Sequence, residues 1–323
     1  MNINTGFFAV VCLVFSAVSF ADDGDIVEIR FLSGEKTAED VAKFWTPERI
    51  KAAKAYPMPE VEVEGEPEEP EGMESEESAE ATESALKPGK PKKVKNYEHH
   101  PYSPGGKLFF FVGLTSSGYC SAQYDYDNNV ILTAAHCLLE TDGTFHTDMY
   151  FLRAYNNDGV GPTWSQWVPI EKGYHFKGYI TGHKYKLEKN TPFDVAVLCG
   201  EKSEVSQLGL YTNDAGVIGR NPVAIGYPSN YDDGNAMYQV QAEDTYMHYQ
   251  VPGTLYGVLA VKKNPFGHGS SGGAWLLTTS DGIQGTVMGI NAAKRKHHHD
   301  KVFSPWFTSE VLRLFDYGKD KCN

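Results

Sequence analysis

Gly267-His268-Gly269-Ser270-Ser271-Gly272-Gly273-Ala274-Trp275 sets a pair of serines inside a run of glycines. Glycine lets the backbone turn sharply, presents a hydroxyl and keeps side chains away from a reactant. By itself such a run reads as a turn. Two other stretches change that reading. Val130-Ile131-Leu132-Thr133-Ala134-Ala135-His136-Cys137 ends an apolar run in a histidine, and Phe193-Asp194-Val195-Ala196-Val197-Leu198 puts an acid at the head of a buried-strand pattern. A serine hydroxyl is a poor nucleophile near neutrality and needs a base within hydrogen-bond reach and a group that orients the base. Ser271, His136 and Asp194 supply one of each. Taken singly, they read as a turn serine, a core histidine and a strand-start cap.

The texture around these stretches is all-β. Leu108-Phe109-Phe110-Phe111-Val112, Met149-Tyr150-Phe151-Leu152 and Pro222-Val223-Ala224-Ile225 are short apolar runs parted by Gly, Asn, Asp and Pro, as sandwiches and barrels require. Ser280-Asp281-Gly282 between two apolar runs predicts a hairpin. Near the end, Thr308 or Ser309 can cap a helix with Glu310 in its first turn and Val311, Leu312 and Phe315 on its buried face. The G-x-S-x-G spacing also fits the nucleophile elbow of α/β-hydrolases, which needs a helix after the serine and an acid and histidine downstream. Ala274-Trp275-Leu276-Leu277-Thr278-Thr279 reads as strand instead, and the elbow is rejected.

The order His, Asp, Ser is that of the chymotrypsin-type triad. The chain resembles chymotrypsin-like serine proteases, and more narrowly the secreted, glutamyl-endopeptidase-like branch. The resemblance lies in Thr133-Ala134-Ala135-His136-Cys137, in Cys120 upstream, in Asp194 before an apolar strand, in Gly269-Ser270-Ser271-Gly272-Gly273, and in Trp45-Thr46-Pro47-Glu48-Arg49 of the N-terminal region. It implies two six-stranded antiparallel β-barrels with a C-terminal helix, preceded by a partly disordered leader. It also implies a catalytic triad of Ser271 as nucleophile, His136 as general base and Asp194 as its orienter. The backbone N–H groups of Gly269 and Ser271 are the expected oxyanion hole.

The substrate pocket is expected to be walled by residues before Ser271, Phe266 among them, and by Asn291, Ala292, Ala293 and Lys294. Glutamyl endopeptidases similar to this chain carry a histidine where Asn291 falls and a small hydroxyl residue where Phe266 falls. The basis of a glutamate preference is therefore missing, with Lys294 left to attract an acid. Ala292 falls where many relatives carry a serine bonded to the catalytic acid. Ser270 replaces the aspartate that pairs with a freed N-terminal ammonium in trypsin-type zymogens. Burying that ammonium unpaired would cost several kcal/mol. The hole is thus expected to form without such insertion, with the leader covering the cleft or aiding folding.

Residues 1–21 hold the apolar run Phe7-Phe8-Ala9-Val10-Val11-Cys12-Leu13-Val14-Phe15, with the small residues Ser19 and Ala21 after it, and are expected to be a secretory signal. Residues 22–59 are an expected prosegment, with a helix capped by Thr46 and started by Pro47. Residues 60–96 are an expected disordered linker, twelve glutamates in residues 60–83 followed by the basic run Lys87-Pro88-Gly89-Lys90-Pro91-Lys92-Lys93-Val94-Lys95. Residues 97–323 are the expected protease domain. Net charge is −13 overall, but residues 1–95 carry 20 acidic and 11 basic side chains, leaving 22 and 18 for the rest. Nothing in that balance points to a nucleic-acid partner.

Four cysteines remain once Cys12 leaves with the signal, and secretion makes disulfides the default. The resemblance pairs Cys120 with Cys137 beside the histidine, which leaves Cys199 for Cys322. No cysteine pair has close metal-ligand spacing, and His297-His298-His299 reads as a polar surface loop. The sequence thus predicts a secreted serine endopeptidase, extracellular or periplasmic, acting on protein or peptide substrates as a monomer. No cofactor, metal or membrane partner is expected. The alternative is a catalytically inactive secreted binding protein on the same scaffold.

Overall fold

Leu108, Phe109 and Phe110 are all fully buried, because their strand, Gly105–Val112, has covered faces on both sides. It pairs antiparallel with Ser116–Tyr124 and with Thr147–Arg153. The computed structural model describes residues 23–31, 37–63, 86–113, 116–159, 161–212, 216–298 and 300–323. The expected signal and residues 64–83 of the acidic run lie outside them. Among the described residues no helix is long and apolar enough to cross a membrane.

The chain builds the all-β, chymotrypsin-like double barrel with a short C-terminal helix. In the first half, the sheet continues beyond Ser116–Tyr124 through Val130–Thr133, Ala196–Cys199 and Lys172–Phe176. In the second half, Val223–Gly226, Tyr238–Gln241, Ala274–Thr279 and Gly282–Ile290 form one sheet, and Glu243–Gln250, Gly257–Lys262, Ala293–Arg295 and Val302–Pro305 another. The hairpin at Ser280-Asp281-Gly282 forms, with Gly282 in the left-handed region at φ 108°.

The N-terminal region lends a strand to every sheet. Ile26–Arg30 pairs with Lys172–Phe176, Lys54–Ala55 with Ser116–Tyr124, Glu60–Val61 with Ala293–Arg295, and Lys92–Lys93 with Tyr238–Gln241. With these, the three sheets hold nine, six and five strands among the described residues. The basic half of the expected linker is thus corrected: residues 87–95 lie along the second barrel, Pro88 bridges to Gln241, and Val94 is buried. Charge composition misses this because an edge strand needs backbone groups and one apolar anchor, both of which the run possesses.

The region of the expected prosegment is likewise packed against the barrels. Thr46 caps the helix Pro47–Ala52, its Oγ1 accepting from Arg49 N–H at 3.4 Å. Phe31, Val41, Trp45, Ile50 and Met58 are each 3% exposed or less. Each such side chain contributes roughly 1.5–3 kcal/mol of burial. Trp45 also donates its indole N–H to the Asp148 carbonyl at 2.7 Å and packs its ring on Phe109.

The C-terminal helix, Ser309–Cys322, is capped by Thr308 and buries Val311, Leu314, Phe315 and Gly318. Leu314 takes the place expected of Leu312, as the 3.6-residue repeat from Val311 dictates. A Cβ on Gly318 would meet Val197 at 2.6 Å, so glycine permits the helix to lie close against Ala196–Cys199. Cys199 is joined to Cys322 there, and Cys120 to Cys137 in the first barrel, with Cα separations of 5.0 and 6.2 Å.

Candidate active site

The pairing of Val130–Thr133 with Ala196–Cys199 sets the end of one strand beside the start of the other, with Thr133 opposite Ala196. His136 follows the first strand on the short turn Ala135–Cys137, held by the Cys120–Cys137 bridge. Asp194 precedes the second strand, after the turn Thr191–Phe193. The result is a two-point contact. Asp194 Oδ1 accepts from the His136 backbone N–H at 2.9 Å, and Oδ2 faces His136 Nδ1 at 2.8 Å. Both side chains are buried.

The glycine-rich turn approaches the same corner from the second barrel. Gly272 has φ 79°, and a Cβ there would meet Thr133 Oγ1 at 2.2 Å and the Ser121 carbonyl at 2.4 Å. Only glycine fits. Ser121 N–H donates to the Ser271 carbonyl at 2.8 Å, and Gln123 Nε2 bridges the carbonyls of Leu132 and Gly272 at 3.1 and 3.0 Å. Those bonds lock the serine turn to the strand that leads into His136. At this corner His136 Nε2 and Ser271 Oγ are both buried and have no hydrogen-bond partner. Such orphans are costly in a core and are common where chemistry is done.

Tyr185 was not singled out by sequence. Its hydroxyl lies 2.8 Å from Asp194 Oδ2 and 3.0 Å from Thr191 Oγ1. Burial, with the Asp194 charge beside it, raises the Tyr185 hydroxyl pKa well above its ordinary value, keeping the hydroxyl a donor. The sequence signal was the absence of a hydroxyl at Ala292, which left Asp194 short of one donor.

The pocket residues divide. Asn291, expected on the pocket wall, spends its side-chain amide internally. Its Oδ1 accepts from Trp275 Nε1 at 2.8 Å and Asn264 Nδ2 at 3.0 Å, while its Nδ2 donates to the Ser270 carbonyl at 3.1 Å. Phe266, Ala292 and Ala293 are fully buried, and Lys294 pairs with Glu60 at 3.0 Å.

Residues of the N-terminal region lie against the glycine-rich turn and His136. Gly269, at φ 84°, donates its N–H to the Tyr56 carbonyl at 3.1 Å. Met58 N–H donates to His268 Nδ1 at 2.9 Å, and Lys294 N–H to the Pro59 carbonyl at 2.9 Å. Burial and the nearby Lys294 charge lower the His268 pKa, which keeps the ring neutral and Nδ1 an acceptor. The Tyr56 ring lies over His136, centroids 6.4 Å apart and planes 21° from parallel, and its hydroxyl bonds Glu140. An open depression lined by Lys51, Lys93, Asn157, Asp158, Asp232 and Asn235 lies elsewhere and includes none of these groups. His136 also neighbours Cys120 and Cys137, but both sulfurs are spent in the disulfide and offer no thiolate to a metal.

No family model and no curated protein matches the chain. Solved structures do. A thermostable serine protease, AL20, from an extremophilic microorganism is 21% identical with a TM-score of 0.51, the match covering 67% of this chain and 96% of that one. The protease Anisep from Arthrobacter nicotinovorans is 20% identical at TM-score 0.53, covering 67% and 95%. A Glu endopeptidase, solved in complex with MPD, is 17% identical at TM-score 0.54, covering 71% and 96%. What this chain shares with them is a fold, the chymotrypsin-like double barrel of serine proteases.

Proposed function

We propose that this chain is a secreted serine endopeptidase, made as a precursor and acting through His136, Asp194 and Ser271. The observation that carries the reading is the His136–Asp194 pair, whose outer nitrogen is left unpartnered at the corner where Ser271 Oγ is also unpartnered. Ser271 Oγ passes its proton to His136 Nε2 and attacks the carbonyl carbon of a peptide. The oxyanion takes the N–H groups of Gly269 and Ser271, each worth about 3–4 kcal/mol in such a site. His136 Nε2 then gives the proton to the departing amine, and the C–N bond breaks. Water, deprotonated by the same nitrogen, hydrolyses the acyl-enzyme and returns Ser271 to its hydroxyl. Asp194 holds the ring in the tautomer with Nδ1–H inward and stabilises its cationic form.

Secretion is supported by the apolar run at residues 7–15 and by two disulfides, which persist in oxidising compartments. The substrates are proteins or peptides, and the enzyme works as a monomer without a cofactor. The N-terminal region, by its burial against both barrels, serves as inhibitor or folding aid. A fluorophosphonate probe tests the activity, applied to the secreted chain before and after limited proteolysis of its N-terminal region. Label mapped to Ser271, and lost in Ser271→Ala and His136→Ala, supports the reading. No label in any form would make the chain an inactive binding protein on this scaffold.

A further inference from the structure

Residues 56–61 run through the cleft in a definite direction. The Tyr56 carbonyl is on Gly269 N–H, Met58 N–H is on His268, and the Pro59 and Val61 carbonyls are on the N–H groups of Lys294 and Lys296. The last two contacts belong to a parallel ladder, Glu60 opposite Lys294 and Val61 opposite Arg295. Moving away from Gly269 along the pocket wall, the segment therefore proceeds toward its own C-terminus.

A substrate must do the opposite. Its scissile carbonyl sits at the Gly269 end, and the residues that precede that carbonyl occupy the pocket expected beside residues 291–294. In the bound segment, the residues beside that wall follow the Tyr56 carbonyl. The bond at the hole is Tyr56–Pro57, a tertiary amide whose nitrogen carries a ring carbon where a substrate amide carries hydrogen. Met58–Pro59 repeats the device two residues later.

We infer that residues 56–61 are a built-in, backwards-bound plug that keeps Ser271 latent while resisting its attack. This rests on the serine-endopeptidase reading and names how that site is regulated. Three features make the plug specific. The Tyr56 carbonyl takes an oxyanion-hole donor, the Tyr56 ring covers His136, and Met58 anchors the segment with 1% of its surface exposed. Glu60 adds an ion pair with Lys294 at the partly exposed rim. Reversal separates inhibition from hydrolysis: the segment uses the recognition groups of the cleft without offering a carbonyl in productive polarity.

The test compares the full chain with its Met58→Asp variant, which puts a charge into the buried anchor site. Labelling of Ser271 by a fluorophosphonate is expected to be at least tenfold faster in the variant, with Met58→Ala changing in the same direction by a smaller factor. Mass mapping of both disulfides checks the fold of each. An acetylated, amidated peptide of residues 53–62, added to Met58→Asp, is expected to slow labelling again and to remain uncut. Equal, rapid labelling in all chains would overturn the plug and leave the protease intact. Absence of labelling in every chain, also after limited proteolysis, would overturn the protease reading and the plug with it. Cleavage of the peptide at Tyr56–Pro57 would overturn the reversed polarity alone, and with it the inference as stated.

Discussion

The Tyr185 hydroxyl donates to Asp194 Oδ2 at 2.8 Å, the same carboxylate oxygen that faces His136 Nδ1 at 2.8 Å. Asp194 thus receives three donors, counting the His136 backbone N–H on Oδ1. Ala292 has no hydroxyl to offer, and a residue nine positions before Asp194 takes over the task. Tyr185→Phe removes one charge-assisted hydrogen bond, worth about 1.5–3 kcal/mol. On the proposed mechanism, kcat should fall about tenfold with KM nearly unchanged, since Tyr185 positions the acid and does not touch substrate. Steady-state kinetics on the released enzyme measure the split. A rise in KM at constant kcat would place Tyr185 in the substrate site instead.

The corner itself was legible in the sequence because short-range rules determine it. Glycines around Ser271, a histidine at a strand end and an acid at a strand start are local signals. Neighbouring strands bring the histidine and the acid together, and the bond from Ser121 N–H to the Ser271 carbonyl holds the serine turn beside that strand pair. Tyr185 was not legible, since a tyrosine in a polar loop has no pattern that reports a contact with Asp194. The internal bonds of Asn291 were not legible for a related reason. Its position in the chain suggested a wall, and only the fold shows its amide turned inward to Trp275, Asn264 and Ser270. The basic run at residues 87–95 was misread because composition weighs charge and not backbone pairing.

Asn291 braces the Ser270 carbonyl behind the proposed nucleophile, so on the proposed mechanism its loss should cost stability and activity together. Asn291→Ala strands a buried indole N–H, an amide and the Ser270 carbonyl, each group costing about 1–3 kcal/mol when left unpaired. Denaturant unfolding should show a loss of about 3 kcal/mol. The fluorophosphonate rate of the leader-released enzyme should fall as the Ser270–Ser271 turn loses its brace. An unchanged midpoint would mean that water replaces the amide without penalty.

Asp125 sets a pH dependence with an uncommon sign. It is fully buried with neither carboxylate oxygen hydrogen-bonded, and burial pushes its pKa from 3.8 up to about 7, the nearby Tyr126 N–H opposing the shift. Between about pH 4 and 7 the folded chain holds a proton that the unfolded chain has released. Stability therefore falls as pH rises through this window, and the whole cost is present above it. Asp125→Asn removes the charge. It should raise the unfolding free energy by about 1–3 kcal/mol at pH 8, with the gain shrinking toward pH 4. His146 and His175, whose pKa values burial lowers to about 4, have the opposite dependence. They lose stability as pH falls below about 6.5, and they cancel in the difference between variant and parent. An equal gain at both pH values would show that the Asp125 carboxylate ionises without cost.

On the proposed function, Met58 also reports what the pocket accepts. It lies between the two walls expected from sequence, its N–H on His268 and the next carbonyl on Lys294. Its side chain belongs to the same buried apolar cluster as Phe266 and Trp275. Asn291, the polar residue expected on the wall, spends its amide internally, and the His268 acceptor is turned to a backbone N–H. An incoming glutamate or arginine would shed its hydration with no partner at the Phe266 end. A methionine or leucine gains roughly 1.5–3 kcal/mol from burial there. At about 1.4 kcal/mol per factor of ten, peptides cut after Met or Leu should exceed those cut after Glu or Arg at least tenfold in kcat/KM. A substrate library presented to the released enzyme measures this directly. Phe266→Ser, which restores a small hydroxyl residue, should narrow the gap by admitting water and polar side chains. A tenfold preference for Glu in the unaltered enzyme would place Met58 outside the specificity pocket and give the recognition of substrate to Lys294.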